Sequence, residues 1–125
     1  MQDNPDRPIK ASPSSAAAEQ KQASAEIHIT SIFTAKPGLE VYSRQELFEY
    51  VKTTLKNPDC KSIRVMQESG RKDSFMLYSI WKSEAAFIEH LGSPIVREYA
   101  LKNQKYGDPK LFVRRWQLLE DFENT

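Results

Sequence analysis

Alternation of apolar and polar residues first becomes regular at residues 25–35, AEIHITSIFTA. In an extended chain, Ile27, Ile29, Ser31 and Phe33 fall on one face, and His28, Thr30, Ile32 and Thr34 on the other. Isoleucine on both faces predicts a strand covered on both sides. Lys36-Pro37-Gly38 stops it. Helical spacing then takes over with Leu47, Val51 and Leu55, flanked by Phe48 and Tyr50. Ser43-Arg44-Gln45-Glu46 reads as a capping box opening that helix. Asn57-Pro58-Asp59 closes it, because the residue before a proline avoids helical angles. Two strand-like runs, 60–68 and 74–81, flank a polar turn at 69–73 that contains Gly70, and together they read as a β-hairpin. In the second run Phe75, Leu77, Ser79 and Trp81 share one face, and Met76, Tyr78 and Ile80 the other. Ser83 caps a short helix over 84–91 that brings Phe87, His90 and Leu91 to one face, with Gly92 as its stop. Ser93-Pro94 starts another helical stretch, to about Lys102, with Ile95, Val96 and Tyr99 on its apolar side. Residues 103–109 read as loop and 110–119 as a last strand.

The order β-α-β-β-α(α)-β predicts an α+β fold of ferredoxin-like arrangement, an antiparallel sheet with its helices on one face. The other face of such a sheet is open. Apolar residues on both faces of the first and third strands predict that something covers it, and in a chain this short a second copy is the expected cover. Residues 1–24 hold three of the seven prolines and, alanines aside, only Met1 and Ile9 as apolar side chains. They read as a disordered tail, because so little apolar surface does not offset the entropy of ordering. The domain is expected over 25–119, with a short C-terminal tail over 120–125.

Composition narrows the function classes. A chain of 125 residues accommodates one ordinary core. A formal net charge of +1 gives no reason to expect a nucleic-acid or anionic-membrane partner. One cysteine, Cys60, excludes an internal disulfide, and two histidines exclude a three-His metal site within one chain. No run approaches ~18 consecutive apolar residues, as a membrane-spanning helix requires. There is no apolar signal-peptide core, so a cytoplasmic protein is expected. No glycine-rich phosphate or dinucleotide loop is present among the four glycines, and no organic cofactor or metal is expected.

IHITSIFTAKPG at 27–38, PDC at 58–60 and FMLYSIWKSEAAFIEHLGSP at 75–94 resemble the antibiotic biosynthesis monooxygenase domain family. The likeness covers the whole expected domain. It implies a dimeric α+β barrel in which two ferredoxin-like sheets pack together, with a cavity between helices and sheet in each subunit. Family activities include cofactor-free oxygenation of anthrones, quinol oxidation, haem degradation and an isomerisation, so membership specifies fold better than chemistry. The haem-degrading pattern of Asn, Trp and iron-ligating His falls here on Ser31, His90 and Ala100, none of which matches. The anthrone-oxygenating pattern keeps Trp81 but meets Leu77 and Phe87 where those members place Asn and Tyr. Quinol-oxidising members share the tryptophan and the histidine nine residues later, here Trp81 and His90.

His90 is the ionisable group on an apolar helix face, and a near-neutral imidazole suits a base that deprotonates a phenol or enol. Trp81 is either a ring for stacking a flat substrate or a core anchor. Ser31, Phe33, Leu77, Phe87 and Leu91 are expected to line the substrate site. Two functions follow. One is a cofactor-independent monooxygenase or oxidase using O2 on a phenolic, quinol- or anthrone-like aromatic. The other is a non-catalytic dimeric binding or accessory protein of the same fold. Retained Trp81 and His90 favour the enzyme, whereas Leu77 and Phe87 favour the accessory protein.

Overall fold

The computed structural model describes residues 25–108 and 112–124. The tail expected over 1–24 therefore lies outside the described residues. The elements run β1 (Ile27–Thr34), α1 (Glu40–Thr54), β2 (Cys60–Gln67), β3 (Ser74–Trp81), α2 (Glu84–Leu91), α3 (Pro94–Tyr106) and β4 (Phe112–Trp116). The strands form one antiparallel sheet in the order β2-β3-β1-β4. This is the expected ferredoxin-like α+β arrangement.

Register decides which side chains meet. Ile27 pairs with Trp81, Ile29 with Ser79, Ser31 with Leu77, and Phe33 with Phe75. The two alternating apolar sets are thus directly opposed, and both face the helices. Nearly every member is buried, with Ser31 half-buried. The alternate set, including His28, Ile32, Met76, Tyr78 and Ile80, is half-buried on the helix-free face. The hairpin turn uses Gly70 at φ 82°, a conformation that side chains with a Cβ rarely adopt. A bulge between Cys60 and Ser62 tucks the Cys60 side chain into the core.

Four readings of the sequence need correction. The first helix begins at Glu40 rather than at Ser43. Gly38, at φ 83°, turns the chain straight into the helix, and its amide donates to the Glu40 carboxylate at 3.1 Å. Ser43 is therefore an interior, buried residue, and no capping box forms. The buried stripe consequently runs Ser43, Leu47, Val51, Thr54, while Leu55, 45% exposed, and Phe48 face outward. The last helix continues to Tyr106, so residues 103–106 are helix, not loop. Asparagine, lysine and glutamine sustain that turn until Gly107, whose strand-like bridge to Ala35 ends it. Finally, β4 covers only Phe112–Trp116, and residues 117–124 carry no strand. Its side chains are exposed because it is an edge strand paired on one side only. By contrast, α2 and its caps match expectation: Ser83 Oγ accepts from the Ala86 amide at 3.1 Å.

The buried stripe predicts a contrast between two leucines on α1. Leu47→Ala is expected to lower unfolding free energy in urea by about 2–5 kcal/mol. Leu55→Ala is expected to stay within about 0.5 kcal/mol of wild type.

Candidate active site

The core divides in two. One cluster gathers Phe33, Leu47, Val51, Phe75, Leu77 and Tyr99, and the other Ile27, Ile29, Cys60, Trp81 and Phe87. Between them lies a cavity of about 220 Å³. Its origin is legible in the strand register. Where larger side chains fill the inward face on either side, β1 and β3 contribute Ser31 and Ser79, and these small residues leave the space unfilled. The three helices roof it with Tyr50 and Thr54 from α1, His90 from α2, and Tyr99 and Asn103 from α3.

All seven residues expected at the site, namely His90, Trp81, Ser31, Phe33, Leu77, Phe87 and Leu91, line this cavity. His90 is 5% exposed. Burial pushes its pKa below the ordinary value of 6.5, so the imidazole is neutral at pH 7. Its ring lies against that of Trp81, centroid to centroid 4.6 Å and tilted by 36°. Trp81 is 1% exposed and also meets Phe87 edge-on at 5.8 Å. The indole N–H donates to Ser79 Oγ at 3.1 Å. Trp81 therefore backs the histidine more than it offers a free stacking face.

Periodicity alone did not single out Tyr50 and Thr54 for the site. The Tyr50 hydroxyl stands 2.7 Å from His90 Nε2. Burial pushes the Tyr50 pKa up to about 12, partly offset by the nearby Thr54 hydroxyl, so Tyr50 keeps its proton. A phenol O–H is a better donor than an imidazole N–H, and an imidazole nitrogen a better acceptor than a phenol oxygen. The bond is therefore assigned with Tyr50 donating to Nε2, which puts the imidazole proton on Nδ1. Thr54 is 2% exposed, and its Oγ1 is buried near the Tyr50 hydroxyl without a hydrogen bond of normal geometry. The Tyr99 ring lies against that of Tyr50, centroids 4.7 Å apart and tilted by 35°, and burial raises its pKa as well. The Cys60 thiol, beside this group, is pushed up to about 11 by burial. No charged side chain lines the cavity among the described residues, and no cluster there could hold a metal ion. Likewise, no helix among them is long and apolar enough to cross a membrane.

The arrangement is a partly open, uncharged, aromatic-rich pocket with one near-neutral base. It suits a flat neutral molecule and a proton transfer from it.

The family model described as antibiotic biosynthesis monooxygenase matches residues 27–102. Among solved structures, the chain is similar to SnoaB, a cofactor-independent oxygenase from Streptomyces nogalater. The TM-score is 0.71 at 13% identity, covering 80% of this chain and 99% of that one. A Pseudomonas aeruginosa protein gives a TM-score of 0.71 at 17% identity over 78% of this chain and 98% of its own. A Mycobacterium tuberculosis protein gives 0.70 at 18% identity over 79% and 100%. At such identities these structures speak to fold alone. No curated protein matches the chain.

Burial of His90 has a consequence for stability. Its folded pKa lies below the unfolded value of 6.5. As pH falls through 6.5, the unfolded chain takes up a proton that the folded chain does not. Stability should therefore drop on acidification until the folded imidazole is also protonated. Tyr50, which bonds it, and Tyr99 and Cys60, which lie near Tyr50, have raised pKa values and stay neutral throughout. Urea midpoints measured from roughly pH 7 to pH 5 should show this drop, and His90→Gln should remove its share of it.

Proposed function

Because the chain belongs to the antibiotic biosynthesis monooxygenase family, with the family match spanning residues 27–102, we propose that it is a cofactor-independent monooxygenase or oxidase. Its substrate is a phenolic, quinol- or anthrone-like aromatic. The observation that carries this reading is a neutral, buried His90 at the wall of an uncharged apolar cavity that also contains Trp81. A neutral ring enters without shedding a tight hydration shell. Loss of its phenol or enol proton, which ends on His90, leaves an electron-rich anion in a dry site, and that anion reduces O2. For a quinol the balance is quinol plus O2 to quinone plus H2O2. For an anthrone-type methylene, one oxygen atom becomes the new carbonyl and the other leaves as water.

Trp81 supports the base. An indole face beside a desolvated cation contributes up to about 2 kcal/mol, and here it stands 4.6 Å from the ring that becomes imidazolium. Ser31, half-buried on β1, can orient a substrate oxygen, while Phe33, Leu77, Phe87 and Leu91 form the apolar contact surface. Leu77 and Phe87 also support the second reading, a dimeric binding or accessory protein. They provide no hydrogen-bonding group at positions where anthrone-oxygenating relatives have Asn and Tyr.

The same reading includes a homodimer formed through the sheets. The helix-free face presents Ile32, Met76, Tyr78 and Ile80, with Met66, Phe112 and Trp116 exposed beside them. Water would otherwise cover this apolar surface.

Oxygen uptake with a panel of quinols and anthrones tests the activity. His90→Ala should lower turnover by roughly 10²–10⁴ with the fold retained, the usual scale of general-base assistance. Wild-type binding of these aromatics without any oxygen uptake would instead establish the accessory role. For the assembly, sedimentation at low micromolar concentration should give a dimer, and Met76→Lys, which puts a charge opposite Ile32, should give a monomer. A wild-type monomer at that concentration would refute the assembly.

A further inference from the structure

The base proposed above has its ring nitrogen Nε2 already occupied by Tyr50, 2.7 Å away. Tyr50 and Thr54 are four residues apart on α1, so one helix face presents both hydroxyls to the cavity. Thr54 Oγ1 is buried there close to the Tyr50 hydroxyl and makes no hydrogen bond of normal geometry. An unsatisfied buried hydroxyl costs about 1–3 kcal/mol, so a chain that keeps one beside a cavity has a use for it when the cavity is filled.

We propose that Tyr50, rather than His90, contacts the substrate: its oxygen takes the phenol or enol proton while its own proton passes to His90 Nε2, and the Thr54 hydroxyl donates to the oxyanion that results. The step balances. The substrate O–H bond breaks as a new Tyr50 O–H forms, and the original Tyr50 O–H breaks as the Nε2–H forms. The products are a substrate anion and an imidazolium, with Tyr50 unchanged. Tyr50 and Thr54 are then catalytic residues, and His90 acts through Tyr50.

Three observations support this order of contacts. With Tyr50 assigned as the donor to Nε2, 2.7 Å away, its oxygen retains lone pairs for an incoming O–H. Tyr99 and Cys60 beside it are held neutral by burial, which leaves His90 as the proton's destination near pH 7. No lining residue is charged, so the substrate arrives neutral and the imidazolium–oxyanion pair is created inside the cavity, where each stabilises the other.

The inference rests on the aromatic-substrate reading above, and its test separates the two. The probe is 4-nitrophenol, colourless when neutral and yellow when ionised, titrated at mildly acidic pH. Wild type should turn it yellow on binding. Tyr50→Phe keeps the ring that packs against Tyr99 at 4.7 Å and should bind the probe without ionising it. Thr54→Val should raise the melting temperature, because it removes the orphan hydroxyl, yet weaken binding of the ionised probe roughly ten- to hundredfold. These opposite directions are not expected of a merely structural threonine. With any quinol that wild type turns over, the Tyr50→Phe/His90→Gln double variant should be no slower than Tyr50→Phe alone. Probe ionisation and turnover by Tyr50→Phe at wild-type levels would overturn the proposal while leaving the oxygenase reading intact, as would a wild-type protein that leaves the bound probe colourless. Probe ionised by wild type and not by Tyr50→Phe, with no quinol oxidised, would keep the proposal and discard the oxygenase reading.

Discussion

A buried indole must place its N–H, and much of this molecule follows from how Trp81 does so. Ser79, two residues earlier and on the same face of β3, accepts that proton at 3.1 Å. The largest fully buried side chain can therefore close the end of the sheet beneath α2, touching Phe87 and His90 at once. The residue that satisfies it has to be small and polar. A serine in the middle of an otherwise apolar inward face, next to Ser31 one strand over, is too small to meet the helices. The core thus splits into two clusters with a cavity between them, and the bond that allows Trp81 to be buried also helps open the site.

The charges are kept away from that space. Arg115 reaches from β4 to Glu84 at 3.1 Å, and Lys102 bridges Glu46 and Glu98 at 3.6 and 3.7 Å, all on the outer surface. Exposed pairs of this kind contribute little to stability. Their exclusion from the cavity matters more. A nearby carboxylate would hold His90 protonated, and a nearby ammonium would lower the Tyr50 pKa. With neither, burial is the largest influence on both groups, opposed at Tyr50 by the smaller effect of the Thr54 hydroxyl, and it acts in opposite senses: the imidazole stays deprotonated and the phenol stays protonated. A donor and an acceptor poised in this way are what a short proton relay needs.

The sheet has an asymmetric environment. Its helix side holds the buried set from Ile27 to Phe33 and from Phe75 to Trp81, whereas the other side has half-buried and exposed apolar residues, with hydrogen bonds between His28 and Tyr78 and from Trp116 to Thr30. Among the described residues, helices pack on one side of the sheet. The cavity lies on the helix side of the sheet.

Much of this was legible in the sequence because strand and helix periodicities are local properties. The two-residue alternation in β1 and β3 assigns the inward faces, and the spacing of Phe87, His90 and Leu91 assigns the buried side of α2. Seven expected site residues consequently share one cavity wall. The start of α1 was misread because Ser43 and Glu46 imitate a cap, whereas the positive-φ turn at Gly38 feeds the chain into the helix earlier. That shift moves the buried stripe onto Thr54 and away from Leu55. Tyr50 meets His90 across 40 residues of intervening chain. Their contact depends on how α1 and α2 come to rest over the same sheet, and that is set by packing of whole elements. No short-range pattern carries it. The side chains that can bear the chemistry are written locally, but which of them share a proton was decided only by the tertiary fold.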